Sequence, residues 1–170
     1  MRAMGLTILL TAASTAPALS ADLFTSHFTG LSAKPCYARS YDSAHLGKNQ
    51  RQQVRRIIID YDRINADRKP NTSPQQFELG FGFQTRKSTE WFANVAICTA
   101  RGDRIACSLE SDGGVFTLRA SGKGLRLEGD QNGFRSEGAT DGVEIGGALS
   151  DDNLFILQPA PRAQCDSASR

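Results

Sequence analysis

Hydrophobic and polar residues alternate most cleanly over Phe77-Glu78-Leu79-Gly80-Phe81-Gly82-Phe83-Gln84-Thr85. Phe77, Leu79, Phe81 and Phe83 share one face, and Glu78, Gly80, Gly82 and Gln84 the other. That period of two predicts a half-buried strand. Glycines on its outward face predict bending, or close approach of another segment. Val54 to Arg63, with Ile57, Ile58 and Ile59 in a row, also reads as a strand, as does Lys34 to Tyr41. Glu90 to Ala100 carries apolar groups on both faces, Trp91, Val95 and Ile97 against Phe92, Ala96 and Cys98. The pattern leaves open which of those faces is core. Between the first two strands, Asp42 or Ser43 can cap a short helical turn that Gly47 can end. Residues 22–33 read as a lead-in, and 48–53 and 66–74 as loops.

One hairpin organises the chain. Two β-type runs, 95–101 and 104–109, flank Gly102-Asp103. Glycine in the first turn position suits a type II′ turn, because it takes positive φ without a Cβ clash. Counting outward, Arg101 faces Arg104, Ala100 faces Ile105, Thr99 faces Ala106 and Cys98 faces Cys107. If the closing pair is hydrogen-bonded, the two cysteines form a non-hydrogen-bonded pair. Their Cα atoms then lie about 4.5 Å apart, within reach of a disulfide. The remaining cysteines, Cys36 and Cys165, form a second bridge that ties the first strand to the C-terminal tail.

Beyond the hairpin, turn residues recur at short intervals: Asp112-Gly113-Gly114, Ser121-Gly122-Lys123-Gly124, Asp130-Gln131-Asn132-Gly133, Thr140-Asp141-Gly142 and Ser150-Asp151-Asp152-Asn153. Between them lie short apolar alternations ending in Leu154-Phe155-Ile156-Leu157. Short, evenly spaced strands predict an all-β domain, and such short connections predict antiparallel neighbours. About eight to ten strands would leave exposed edges unless the sheet closes. The expected fold is a small antiparallel up-and-down β-barrel with the outline of a lipocalin or streptavidin, stapled by disulfides. A β-sandwich is the alternative. A barrel of about eight strands can hold one small ligand or be filled by side chains.

The first residues change the picture of where this domain works. Met1-Arg2, the apolar run Leu6 to Ala13, and Ala18-Leu19-Ser20-Ala21 have the three parts of an export signal cut near Ala21. The apolar run falls short of the ~20 residues that span a bilayer, and no transmembrane segment is expected in the mature chain. The chain thus divides into a leader, 1–21, and a single domain, 22–170. Four cysteines that pair as two bridges fit an oxidising compartment, so a periplasmic or secreted protein is expected. No two cysteines have CxxC spacing and there are only two histidines, so no metal site is expected.

The formal net charge of +2 points to no class of partner. Its distribution is more informative. Lys34, Arg39, Lys48, Arg51, Arg55 and Arg56 face Asp42 alone over residues 34–56, whereas residues 103–152 are acidic. Tyr37, Arg39, Tyr41, His45, Arg51, Arg55 and Arg56 combine aromatic groups with positive charge. Such a patch could grip a carboxylate, a phosphate or an acidic protein surface. Asp42 lies three residues before His45, so one helical turn could let the carboxylate orient the imidazole. No serine or cysteine nucleophile is identifiable beside them. The Asp-Gly turns lack the twelve-residue calcium pattern, and Arg101-Gly102-Asp103 is explained by turn chemistry. No phosphate loop, zinc motif or nucleophile elbow is present.

Tyr41-Asp42-Ser43-Ala44-His45-Leu46 with Gln50, Gln53 and Val54, and Cys107-Ser108-Leu109-Glu110-Ser111-Asp112-Gly113-Gly114-Val115-Phe116-Thr117-Leu118, resemble small uncharacterised exported proteins of Gram-negative bacteria. The resemblance implies a periplasmic address and brings no activity with it. The reading is therefore a monomeric, exported, non-catalytic binding module without a cofactor. Its expected partner is a small anionic ligand or a periplasmic protein, and not nucleic acid. Docking on another protein through exposed loops, as an envelope protein or inhibitor, and hydrolysis by Asp42 and His45 are the alternatives.

Overall fold

The computed structural model describes residues 22–30, 34–137 and 142–168. The expected leader, 1–21, and the turn at Thr140-Asp141 lie outside the described residues. Two antiparallel hairpins begin the sheet. β1 (Cys36–Ser40) pairs with β2 (Val54–Asp60), and β2 with β3 (Phe77–Thr85). β3 continues into β4 (Phe92–Arg101), β5 (Arg104–Leu109), β6 (Val115–Ser121) and β7 (Gly124–Gly129), each antiparallel to the one before. A small hairpin, β8 (Phe134–Glu137) and β9 (Gly142–Ile145), then leaves the barrel wall and touches it through Ala93 opposite Glu137. β10 (Leu154–Pro159) returns between β7 and β1 and closes an eight-stranded barrel. The expected barrel is thus observed, with one excursion in its meander.

Register explains the composition of each strand. Phe77, Leu79, Phe81 and Phe83 point inward as their period predicts. On β4 the inward face is Phe92, Ala96 and Cys98. On β2, Val54 and Ile57 both point inward although three residues apart. A bulge at Arg55 makes this work, since it inserts one unpaired residue between the Val54–Thr85 and Arg56–Gln84 pairs. The strand ends at Asp60, short of the expected Arg63.

The middle of the isoleucine run, Ile58, faces outward yet is buried. A C-terminal helix, α2 (Arg162–Asp166), covers it together with Trp91, Ala168 and the Cys36–Cys165 bridge. This is why the outer face of β3 needs glycine. A Cβ at Gly80 would stand 1.9 Å from Asp60 Oδ1, and one at Gly82 would press against Ala168 and Ile58 at 3.3 Å. Asp60 is in turn gripped by Arg162 at 2.8 Å.

The hairpin is as its sequence predicts. Gly102 has φ of 61° and Cys98 stands opposite Cys107 with Cα atoms 4.1 Å apart, bridged by a disulfide. The short helix α1 (Ser43–Lys48) is capped by Asp42 and runs through Gly47, which does not end it.

The lead-in is not extended. Gly30 N–H donates to the Thr25 carbonyl at 2.7 Å, closing one turn of π-helix over Thr25–Thr29. Phe24 and Phe28 pack on Tyr61 and Phe77, inside the end of the barrel that carries the β4–β5 turn. His27 is buried with them, its Nδ1 2.9 Å from the Tyr37 hydroxyl, which donates to the His27 carbonyl. Burial holds the imidazole below its ordinary pKa and pushes the Tyr37 phenol up to about 12. A buried neutral histidine costs stability as acid is added. Below about pH 6.5 the unfolded chain takes up the proton first, so stability present above that pH is lost down to the lower, folded pKa. The melting temperature of His27→Gln is therefore expected to fall less between pH 7 and pH 5 than that of the wild type. Parallel slopes would show that the plug carries no such titration.

Candidate functional site

The barrel interior is a packed core. Strand residues such as Ile57, Leu79, Leu118 and Leu157 fill it, the Leu23, Phe24 and Phe28 plug closes one end, and Phe134 with Ile145 of the small hairpin closes the other. An eight-stranded barrel is just narrow enough for side chains to fill in this way. The surface is then where a partner can be met.

The aromatic and basic residues singled out from the sequence separate in the fold. Tyr37 lies inside the barrel. Arg39, Tyr41 and His45 come together at the end closed by the small hairpin. The Arg39 guanidinium sits 5.1 Å from the Tyr41 ring centre, and Tyr41 stacks on His45 at 4.6 Å. Burial raises the Tyr41 phenol pKa, and the Arg39 charge opposes that shift. Arg51 pairs with Asp151 at 2.7 Å, Arg55 is the bulged residue of β2, and Arg56 lies over Trp91 on the outer wall. Asp42 uses its carboxylate on the backbone N–H of His45, at 2.7 Å, to cap α1. The His45 Nε2 stands 2.9 Å from Gln52 Oε1. Asp42 thus orients the backbone of this turn, and Gln52 the ring.

Beneath this column lies a fully buried carboxylate, Asp152. It accepts from the backbone N–H groups of Gln53 (2.6 Å) and Val54 (3.2 Å) and from the Ser150 hydroxyl (3.3 Å). Burial raises its pKa, and those three bonds oppose the rise. Its role is to tie the loop before β10 to the start of β2.

A different site emerges from strand register. Arg101 is paired with Arg104, Arg104 with Arg119, and Arg119 with Arg126, so four arginines stand in one row across β4, β5, β6 and β7. Their neighbours Ile105, Leu118 and Leu127 are buried, so alternation turns the arginines outward. With strands about 4.8 Å apart, the row spans roughly 14 Å. Like charges directly opposite each other on neighbouring strands are destabilising. Two exposed ion pairs offset part of this, Arg119 with Asp103 at 2.7 Å and Arg126 with Glu128 at 2.6 Å. Arg101 and Arg104 have no ion pair among the described residues.

The next two rungs of the same face are Thr99, Ala106, Thr117 and Glu128, then Ile97, Ser108 and Val115. Arg101, Arg104 and Arg119 and these two rungs line a shallow outer groove of about 700 Å³. Val115, in its floor, is 44% exposed. Sequence reasoning met Arg101 opposite Arg104 and stopped at the hairpin. Extending the register through the β5–β6 and β6–β7 turns is the signal that finds the row.

Compared with protein-family models, with curated proteins and with solved structures, the chain matches none. The site rests on its own geometry.

Proposed function

We propose that this protein is an exported, non-catalytic binding module whose barrel is a filled scaffold and whose contact surface is the outer face of β4 to β7. The observation that carries this reading is the arginine row beside an open groove, on a barrel whose described inward side chains pack into one buried core. Two disulfides fit an oxidising compartment. No helix among the described residues is long and apolar enough to cross a membrane. The sequence of the leader and the resemblance to exported proteins of Gram-negative bacteria support a periplasmic address.

A row of like charges that costs stability has a reason to persist if a partner neutralises it. The groove volume lies within the range of about 300–1,000 Å³ usual for small-ligand sites. A stable protein interface needs about 800 Å² from each side, far more than three short rungs provide. A ligand therefore fits this face better than a docked protein does.

Native mass spectrometry of the gently purified protein tests this reading. A companion mass carried by the wild type is expected to be lost from Arg101→Glu/Arg104→Glu. A companion kept equally by both proteins would place the contact elsewhere. Uptake of an apolar fluorescent probe by the native barrel would overturn the filled-scaffold reading.

A further inference from the structure

We propose that the arginine row and its groove bind a linear anionic oligosaccharide, with its carboxylate or sulfate groups along Arg101, Arg104, Arg119 and Arg126. This rests on the reading of the outer face as the contact surface and names its ligand class.

Two kinds of recognition chemistry lie side by side on this face. The first is the row itself. Guanidinium groups offer forked donors that match carboxylate and sulfate oxygens two at a time. Four of them at strand spacing address a chain with repeated anionic groups better than a single anion. Arg101 and Arg104 are free of ion pairs among the described residues. Arg119 and Arg126 are held only by exposed acids, which solvent screens and an incoming anion can displace.

The second chemistry is that of neutral, hydroxyl-bearing rings. Thr117 and Ser108 line the groove, and their side-chain hydroxyls have no hydrogen-bond partner among the described residues. Ile97, Ala106 and Val115 supply apolar surface between them. At the β7 end, Glu128 and Asp130 face the same groove. Carboxylates accept hydrogen bonds from hydroxyls and repel anions. They exclude a ligand charged on both edges and favour one whose anionic groups follow the arginine side while its hydroxyls meet Thr117, Ser108 and Glu128. An acidic peptide meets the arginines but has no row of hydroxyl donors for the other rung. The closed barrel also offers no free strand edge in this wall to which a peptide could add.

The test is titration calorimetry on the disulfide-bonded protein at low salt. The probes are oligogalacturonate for the carboxylate source, a heparin-derived hexasaccharide for the sulfate source, maltohexaose as a neutral glycan and poly-glutamate as an acidic peptide. Binding is expected for one or both anionic glycans, weakening with added salt. It should fall at least about tenfold in Arg101→Gln/Arg104→Gln, the equivalent of about 1.4 kcal/mol. Maltohexaose should not bind, and poly-glutamate should bind at least about tenfold more weakly than the better glycan. Thermal melting accompanies the titration: Arg104→Gln should melt at or above the wild-type temperature, because it relieves like-charge contact, so lost binding is not lost folding. Failure of both anionic glycans to bind, or binding unchanged in the double variant, overturns the proposal. If maltohexaose or poly-glutamate binds best and the arginine variants abolish it, the ligand class is wrong while the outer face stands as the contact surface. A companion mass indifferent to those arginines would instead remove the face itself.

Discussion

Replacing Cys36 and Cys165 together by alanine is expected to lower the unfolding free energy by up to about 5 kcal/mol, the chain-entropy value for a loop this long. The bridge joins residues 129 apart in sequence, with Cα atoms separated by 6.0 Å. Its position makes the effect large. β1 meets β10 through only two register pairs, Tyr37 with Pro159 and Ala38 with Gln158. That is the seam at which the first and last strands close the barrel. The disulfide, with the Ala160 N–H donating to the Cys36 carbonyl at 2.8 Å, holds the tail against that seam. Losing Cys98–Cys107 should cost less, about 3 kcal/mol, because those cysteines are only nine positions apart and the turn already sets their register. Denaturant unfolding of the two double-alanine proteins measures the order. A larger loss from the hairpin pair would show that closure of the seam does not depend on the long bridge.

Phe134→Ala is the second large effect, expected at about 3–5 kcal/mol. Phe134 is a buried stopper. Its ring lies 5.4 Å from that of Phe81 and 6.2 Å from that of Phe116, and those two stack at 5.6 Å. The barrel wall is shaped around it: a Cβ at Gly129 would come within 2.4 Å of the Phe134 ring. Removing the ring leaves a void that a closed wall cannot collapse to fill, so both the transfer and cavity costs apply. The same variant should open that end of the barrel. An apolar fluorescent probe excluded by the wild type is expected to enter Phe134→Ala, and its midpoint in denaturant should drop with unchanged slope. A loss under about 1 kcal/mol would mean that the small hairpin only rests on the barrel.

Much of the wall could be read from local pattern. The Phe77–Phe83 alternation, the Gly102-Asp103 turn and the Cys98–Cys107 pairing each depend on residues close in sequence, and the structure agrees with all three. The ambiguous β4 was ambiguous for a physical reason. Trp91 is covered by outer-wall packing and Phe92 by the core, so both faces of the chain there are apolar and periodicity cannot choose between them. The isoleucine run of β2 is the same case, with Ile57 and Ile59 inside and Ile58 under the C-terminal tail. The lead-in showed its phenylalanines but not its shape, because a short helical plug is held by what it enters.

The basic patch shows the limit of reading charge by sequence distance. Residues 34–56 run along β1, through α1 and into the start of β2, so neighbours in sequence such as Arg55 and Arg56 take different roles, one bulged and one over Trp91. Arg101, Arg104, Arg119 and Arg126 are spread over three turns and come together only by pairing. By itself, then, the sequence determined strand identity, turn type, the hairpin bridge and an antiparallel sheet that had to close. These follow from side-chain alternation and backbone torsion, which act over a few residues. Tertiary structure alone decided that the barrel is full, that both ends are stoppered, and that four arginines share one row. Those depend on which distant side chains compete for the same volume and which strands become neighbours.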